Sequence, residues 1–350
     1  MKTRVLVIDD SALIRSLLSD ILASDPELEV VGTASDAIQG WNKIQALVPD
    51  VITLDVEMPK LDGLQFLEKL MRAHPMPVVM ISSLTERGAI TTLRALQLGA
   101  FDVVAKPKID IATSTIVIAD EIIAKVKAAA KSRPRRAAAC VPPAADRVRP
   151  VAGAAVPSAR VIAIGASTGG TQALEQLLGH LPADAPGVVV VQHMPAGFTR
   201  AFADRLDTCC SVRVSEACDG DAIRVGHVLI APGDRHLRVA SVGDRMIVRL
   251  GSGEAVNHHR PSVDVLFESC AAELGPRAVG AILTGMGADG ARGLTAMRRA
   301  GARTIAQNEQ TCVVFGMPKE AIALGGVDEI LPLEAIAAAA LRLAHSPVRR

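Results

Sequence analysis

The sequence predicts an α/β protein made of two parallel-sheet domains joined by a linker, and three observations carry that expectation. The chain has 350 residues, and at roughly 150 residues per domain this length predicts about two. Short β-rich runs alternate with helical patterns in both halves, the signature of parallel sheets covered by helices. Between the halves, residues 128–158 read AAAKSRPRRAAACVPPAADRVRPVAGAAVPS, rich in Ala, Pro and Arg and without a periodic apolar pattern. The expected organisation is a first domain over 1–127, a flexible linker over 128–158 and a second domain over 159–350.

In the first domain the strand-like runs are Arg4–Asp10, Glu29–Ser35, Val51–Val56, Pro77–Ser83 and Asp102–Lys106. Helical patterns such as Ala12–Ala23 and Leu64–Ala73 separate them. Five βα units imply a five-stranded parallel sheet with helices on both faces. After the linker, Val161–Gly165, Gly187–Gln192 and Ala278–Gly285 are near-continuous apolar runs, as expected of strands buried on both faces. The Gly-punctuated stretch Val212–Leu250 is less regular and reads as a small antiparallel excursion or hairpin. The second domain is therefore expected to be doubly wound, with a mostly parallel sheet.

Composition excludes several classes. With 38 Lys+Arg against 37 Asp+Glu, no global field favours nucleic acid. The linker holds six basic residues (Lys131, Arg133, Arg135, Arg136, Arg147, Arg149) against Asp146, a net +5, so the rest sums to −4 against a chain total of +1. That tether reads as a solvated, Pro-stiffened spacer. Aromatic residues are only 2%, with no Tyr, which disfavours surfaces that stack bases or sugars. Mean hydropathy is +0.31, yet no apolar stretch reaches the roughly 18 residues of a spanning helix, and MKTRVLVIDDSALIR lacks a signal-peptide core. A soluble cytoplasmic protein without direct membrane insertion is expected. The six cysteines form no C-x-x-C and read as free thiols.

Asp9 and Asp10 end the first expected strand, Asp55 the third and Lys106 the fifth, with Pro107 following. In a parallel sheet these ends emerge on one edge, where open α/β sheets bind ligands. Any one of them is unremarkable as a solvated strand-end charge. Three converging carboxylates would repel one another without a hard cation such as Mg²⁺. With that cation and Lys106 compensating charge, Asp55 can attack a phosphoryl donor to form an aspartyl phosphate. Ser82, ending the fourth strand, offers a hydroxyl to the new phosphate oxygens. Through VIDDS, LDVEMPKLDG and AKP, about residues 3–127 resemble the response-regulator receiver family. The resemblance implies a flavodoxin-like fold and Mg²⁺-dependent phosphotransfer from a histidine kinase to Asp55. One position departs: the aromatic that many receivers carry three residues before the lysine is Val103 here.

In the second domain, Gly165-Ala166-Ser167-Thr168-Gly169 is a G-x-S-x-G between a strand and an amphipathic helix. A sharp strand-to-helix turn would expose the Ser167 hydroxyl beside helix N-terminal amides. The competing reading, a glycine loop for phosphate or dinucleotide, lacks the Lys-Ser/Thr and the G-x-G-x-x-G spacing. His193 directly follows the buried run GVVVVQ and is the candidate base. His258 and His259 are rivals from a loop, with His259 a candidate substrate contact. Asp289, in the Gly-rich turn after Ala278–Gly285, can accept the imidazole N–H and fix its tautomer. Backbone amides of Thr168, Met286 and Gly287 are candidates for an oxyanion hole. No cofactor is expected at this site.

The chain order is Ser167, His193, Asp289, whereas an α/β-hydrolase runs Ser, acid, His. That order and the blocks GASTGG, QHMP, APGDRHL, HRPSVDVLF, ILTGMGADG and TIAQNEQTCVVFGMPKEA resemble the catalytic domain of the chemotaxis protein-glutamate methylesterase (CheB) family. The resemblance implies hydrolysis of γ-glutamyl methyl esters, and deamidation of glutamines, on methyl-accepting chemotaxis receptors. It also implies a chemotaxis histidine kinase as phosphodonor. The fusion suggests that an unphosphorylated receiver covers the Ser167 edge until Asp55 is phosphorylated. Two alternatives stay open: hydrolysis of another protein ester in a non-flagellar pathway, and a non-catalytic binding or DNA-contacting output module. The latter would want a helix-turn-helix, and none is visible after Ala159.

Overall fold

The computed structural model describes residues 2–58, 62–82, 86–106, 112–132 and 160–346. Contacts divide the chain into a unit over Met1–Ala139 and a unit over Cys140–Arg350.

The first unit alternates β1 (Thr3–Ile8), α1 (Ala12–Ala23), β2 (Leu28–Ala34), α2 (Ala37–Leu47), β3 (Val51–Asp55), α3 (Gly63–Ala73), β4 (Val78–Ser82), α4 (Glu86–Gln97), β5 (Asp102–Ala105) and α5 (Ala112–Lys131). Asp36 and Asp62 cap α2 and α3 through their carboxylates, each satisfying a backbone N–H that a helix start leaves without a partner. All pairings are parallel, in the order β2-β1-β3-β4-β5. The chain reverses direction of travel across the sheet between β1 and β3, so a crevice opens at their carboxyl ends. Val5, Val7, Val79 and Ile81 meet Leu18, Leu22, Ile122 and Val126 in one core. Helix α5 continues to Lys131, past the expected boundary at 127, because Val126 and Ala129 still face that core. Residues 133–158 of the expected linker, and Pro107, lie outside the described residues.

The second unit runs β6 (Val161–Ala166), α6 (Gly170–Gly179), β7 (Val188–Gln192), α7 (Phe198–Cys209), β8 (Arg213–Glu216), β9 (His227–Ile230), β10 (His236–Val242), β11 (Arg245–Gly251), α8 (Val263–Glu273), β12 (Ala278–Ile282), α9 (Ala291–Arg299), β13 (Arg303–Gln307), α10 (Met317–Ala323), β14 (Glu329–Leu331) and α11 (Leu333–His345). Seven strands form a wholly parallel sheet in the order β14-β13-β12-β6-β7-β9-β8. The antiparallel sheet is the β10–β11 hairpin; β8 and β9, in the stretch expected to be irregular, extend the main sheet instead. Strand β9 pairs with β7 and β8 pairs with β9, a tertiary preference that local pattern does not reveal. Strands β6, β7 and β12 are fully buried. Alternate residues Val161, Ala163, Val189 and Val191 share a core with Leu266 and Phe267 of α8 and Leu294 of α9. Strand β6 lies between β7 on one side and β12 on the other, so the switch point of this sheet falls at the carboxyl end of β6, immediately before Ser167. Cys209, Cys210, Cys218, Cys270 and Cys312 are free thiols. Among the described residues no helix is long and apolar enough to cross a membrane.

Candidate active site

Ser167 follows β6 and His193 follows β7, and the pairing of Ala166 with Gln192 sets them side by side. The His193 N–H donates to Ala166 O at 3.1 Å. Gln192 Nε2 donates to Ser167 O at 2.9 Å and to His193 O at 3.2 Å, tying the two strand ends together. The turn carrying Asp289 reaches Ser167 through Gly285: a Cβ on Gly285 would sit 2.9 Å from Ser167 Cβ and 2.2 Å from Met317 Sδ. Gly165 serves the other face, where a Cβ would meet Val263 Cγ1 at 2.1 Å. Its absence lets the start of α8 close against β6.

Asp289 is 1% exposed, and every bond to it comes from a donor. Oδ2 accepts from His193 Nε2 at 2.8 Å and from the Val263 N–H at 2.6 Å. Oδ1 accepts from Ser262 Oγ and Asn257 Nδ2, each at 2.7 Å, and from the Asp264 N–H at 3.3 Å. Burial pushes the carboxyl up, but His193, Ser262 and Asn257 overcome this and hold it well below the usual carboxylate range. With Nε2 donating to Asp289, Nδ1 is left as the proton acceptor. This ring orientation is the reverse of the serine-protease arrangement, in which Nδ1 faces the acid. Among the described residues seven buried side-chain polar atoms lack a hydrogen-bond partner, and three of them are His193 Nδ1, Thr168 Oγ1 and Gln192 Oε1. Buried polar atoms are ordinarily satisfied, so this clustering around Ser167 marks a place built for a ligand or water. His259 stacks on His193 with ring centroids 3.7 Å apart and planes at 16°; His258 is exposed.

Asn257, Ser262 and Thr284 escaped the sequence reading. Thr284 Oγ1 donates to Thr168 O at 3.0 Å and accepts from the Val313 and Val314 N–H groups at 3.1 and 3.0 Å, pinning the 313–314 segment over the Ser167 turn. Ser262, in HRPSVD, bore a recognisable helix-cap signal; Asn257 and Thr284 bore none. Gly285→Ala should push Ser167 off its position, because the flexible Met317 side chain can yield but the Ser167 Cβ, fixed to its backbone, cannot. We expect kcat for ester hydrolysis to fall about tenfold or more with a stability loss of about 1–3 kcal/mol, read by kinetics beside urea denaturation.

In the first unit, oxygens of Asp9, Asp10 and Asp55 lie within 4.8 Å of one another. Asp9 and Asp55 are fully buried and Asp10 is exposed. Lys106 Nζ lies 2.7 Å from Asp55 Oδ2 and 3.3 Å from Asp9 Oδ2. Burial pushes Asp55 up to about 6, against the bond from Lys106 and with help from the charge of Asp9. Apart from that longer contact with Lys106, Asp9 Oδ2 takes no hydrogen bond. A hard divalent cation fits this donor set of three convergent carboxylate oxygens, two of them buried. Ser82 Oγ is buried and accepts from Thr92 Oγ1 at 3.1 Å. At Val103, the carbonyl accepts from Lys125 Nζ at 2.7 Å, and Lys125 pairs with Asp102 at 3.3 Å and Glu121 at 2.8 Å, so β5 is fastened to α5 by charge.

The two units thus define a class: a receiver fused to a parallel-sheet domain with a Ser/His/Asp site at its switch point. A family model described as response regulator receiver domain matches residues 5–115 and one described as CheB methylesterase matches residues 162–340. A Pseudomonas aeruginosa protein named protein-glutamate methylesterase/protein-glutamine glutaminase 2 is 55% identical over 98% of this chain and 97% of its own. A Bordetella parapertussis protein named protein-glutamate methylesterase/protein-glutamine glutaminase is 54% identical over 95% of this chain and 94% of its own. The crystal structure of the Thermotoga maritima CheB methylesterase catalytic domain, 40% identical, covers 53% of this chain and 99% of that one at a TM-score of 0.52. The chain belongs to the CheB methylesterase family and carries that family's receiver domain.

Proposed function

We propose that this protein is a phosphorylation-regulated serine hydrolase of chemotaxis adaptation. It removes methyl groups from glutamate esters, and deamidates glutamines, on methyl-accepting chemotaxis receptors in the cytoplasm. The observation that carries this reading is the buried Asp289 bonded to His193 Nε2, which leaves Nδ1 as the base beside Ser167. Ser167 Oγ attacks the γ-carbonyl as its proton passes to His193 Nδ1. Amides of Thr168, Met286 and Gly287 receive the oxyanion, each worth on the order of 3 kcal/mol in such sites. The intermediate collapses as His193 returns the proton to methoxide, or to the amide nitrogen, releasing methanol or ammonia. Water then attacks the acyl-enzyme with His193 again as base, freeing the glutamate carboxylate and Ser167. None of these steps calls on a cofactor.

In the receiver, over residues 1–127, Asp55 accepts the phosphoryl group from a histidine kinase. Asp9, Asp10 and Asp55 would hold Mg²⁺, which would neutralise charge on the transferring group. Lys106 and Ser82 receive the phosphate oxygens. Phosphorylation relieves the restraint that the receiver places on the hydrolase of residues 159–350. No nucleic-acid partner is invoked. Asp55→Asn should retain basal methanol release from methylated receptor yet lose stimulation by a small phosphodonor with Mg²⁺. Stimulation equal to wild type would refute the assignment of Asp55.

A further inference from the structure

Among the described residues, four non-glycine residues have positive φ, and three of them, Asp234 (φ 63), Asn257 (φ 52) and His258 (φ 66), lie in two loops that Arg260 joins. Left-handed backbone at such residues persists only where the surroundings enforce it, and it concentrates at functional sites. Arg260 Nε donates to Asp234 Oδ1 and Nη1 to Gly253 O, each at 2.8 Å. The turn itself is closed by paired backbone bonds between Val256 and His259 at 3.1 and 2.9 Å.

From this turn Asn257 Nδ2 donates to Asp289 Oδ1 at 2.7 Å and to Asp264 Oδ2 at 2.9 Å, while its Oδ1 accepts from Arg292 Nη2 at 3.1 Å. Asp264 and Asp289 are each 1% exposed, so the amide stands between two buried carboxylates. Two residues on, His259 stacks against His193. One short turn therefore touches both the acid and the base.

We propose that Asn257 is a positioning residue for hydrolysis: its amide, presented by the left-handed turn, holds the Asp289 carboxylate so that Oδ2 stays on His193 Nε2. This rests on the Ser167, His193 and Asp289 reading above. Without the amide, Oδ1 keeps only Ser262 Oγ and the longer bond from the Asp264 N–H, and nothing bridges the two carboxylates. The charged groups facing Asp289 are His193 from the β7 end, Asp264 and Glu268 from α8, and Arg292 from α9; His259 covers the other side of His193. One donor fewer concentrates charge on Asp289, which then holds the proton of His193 more strongly.

The test compares wild type with Asn257→Gly, which keeps the left-handed backbone and deletes the amide, and with Asn257→Ala. Asn257 is solvent-exposed, so neither change opens the core. With methylated receptor as substrate, both variants should lose kcat about 10- to 100-fold, the value of one bond to a buried charge, with KM little changed. The acid limb of the kcat/KM profile should move to higher pH in both. A Gly variant within about twofold of wild type with an unmoved limb would overturn the proposal, whether or not Ala is impaired. Ser167→Ala runs alongside: methanol release retained there overturns the underlying triad, whereas an inactive Ser167→Ala beside an unaffected Asn257→Gly overturns the positioning role alone.

Discussion

Ser167→Ala is expected to lower methanol release from methylated receptor by at least about 10³-fold, as loss of a serine nucleophile does when the rest of the site survives. The fold should not notice. Alanine keeps the Cβ against which Gly285 packs, and the bonds that hold residue 167 in place, from Gln192 Nε2 to its carbonyl and from its N–H to Thr284 O, are unaffected by the side chain. Urea denaturation curves of wild type and variant should superimpose, so an inactive variant is inactive for want of an oxygen. Ammonia release from a glutamine-bearing receptor should fall in parallel, because both reactions pass through the same acyl-enzyme. Methanol release within tenfold of wild type would sink the assignment of Ser167.

Asp289→Asn should cost about 10⁴-fold in kcat, the usual price of presenting the imidazole with the wrong tautomer partner. An amide nitrogen cannot hide in this site. If it replaces Oδ2 it confronts His193 Nε2 and the Val263 N–H; if it replaces Oδ1 it confronts Asn257 Nδ2 and the Asp264 N–H. Either rotamer leaves buried donors facing a donor, so stability should fall by about 2 kcal/mol at neutral pH. The sign with pH follows from the depressed carboxyl. Folding favours the ionised form, so the contribution of Asp289 is fully present above the unfolded-state value near 3.9 and is lost as pH falls through the lower folded value. The stability gap between wild type and Asp289→Asn should therefore be widest near pH 7 and begin to narrow below about pH 4. A gap that widens on acidification would mean that Asp289 is not held as a carboxylate.

The strand-end chemistry of both units was legible before any coordinates. Asp9, Asp55, Ser82, Lys106, Ser167 and His193 each sit at or just beyond the carboxyl end of a strand, and all of these strands except the half-buried β5 are mostly buried and announce themselves by apolar runs rich in Val and Ile. Less was legible where the partner comes from a loop. Asn257 reaches Asp289 from 32 residues away through a left-handed turn that no local pattern signals, and Thr284 acts through a hydroxyl inside an apolar run. In the stretch 212–250 the expected antiparallel hairpin is β10–β11, whereas β8 and β9 join the parallel sheet; at four residues each they are too short for their period to distinguish a sheet strand from a hairpin.

The sequence by itself determined two α/β units, the order Ser167, His193, Asp289 and the acid cluster opposite Lys106, because hydrophobic run length and strand-end residues are properties of the chain taken a few residues at a time. Only the tertiary structure decided which histidine nitrogen meets Asp289, that His259 stacks on His193, and that Asn257, Ser262 and the start of α8 enclose the acid. Those choices depend on where separate loops come to rest. Close approaches permitted by missing side chains at Gly165 and Gly285 set that outcome, and their effect is felt across the sheet rather than along the chain.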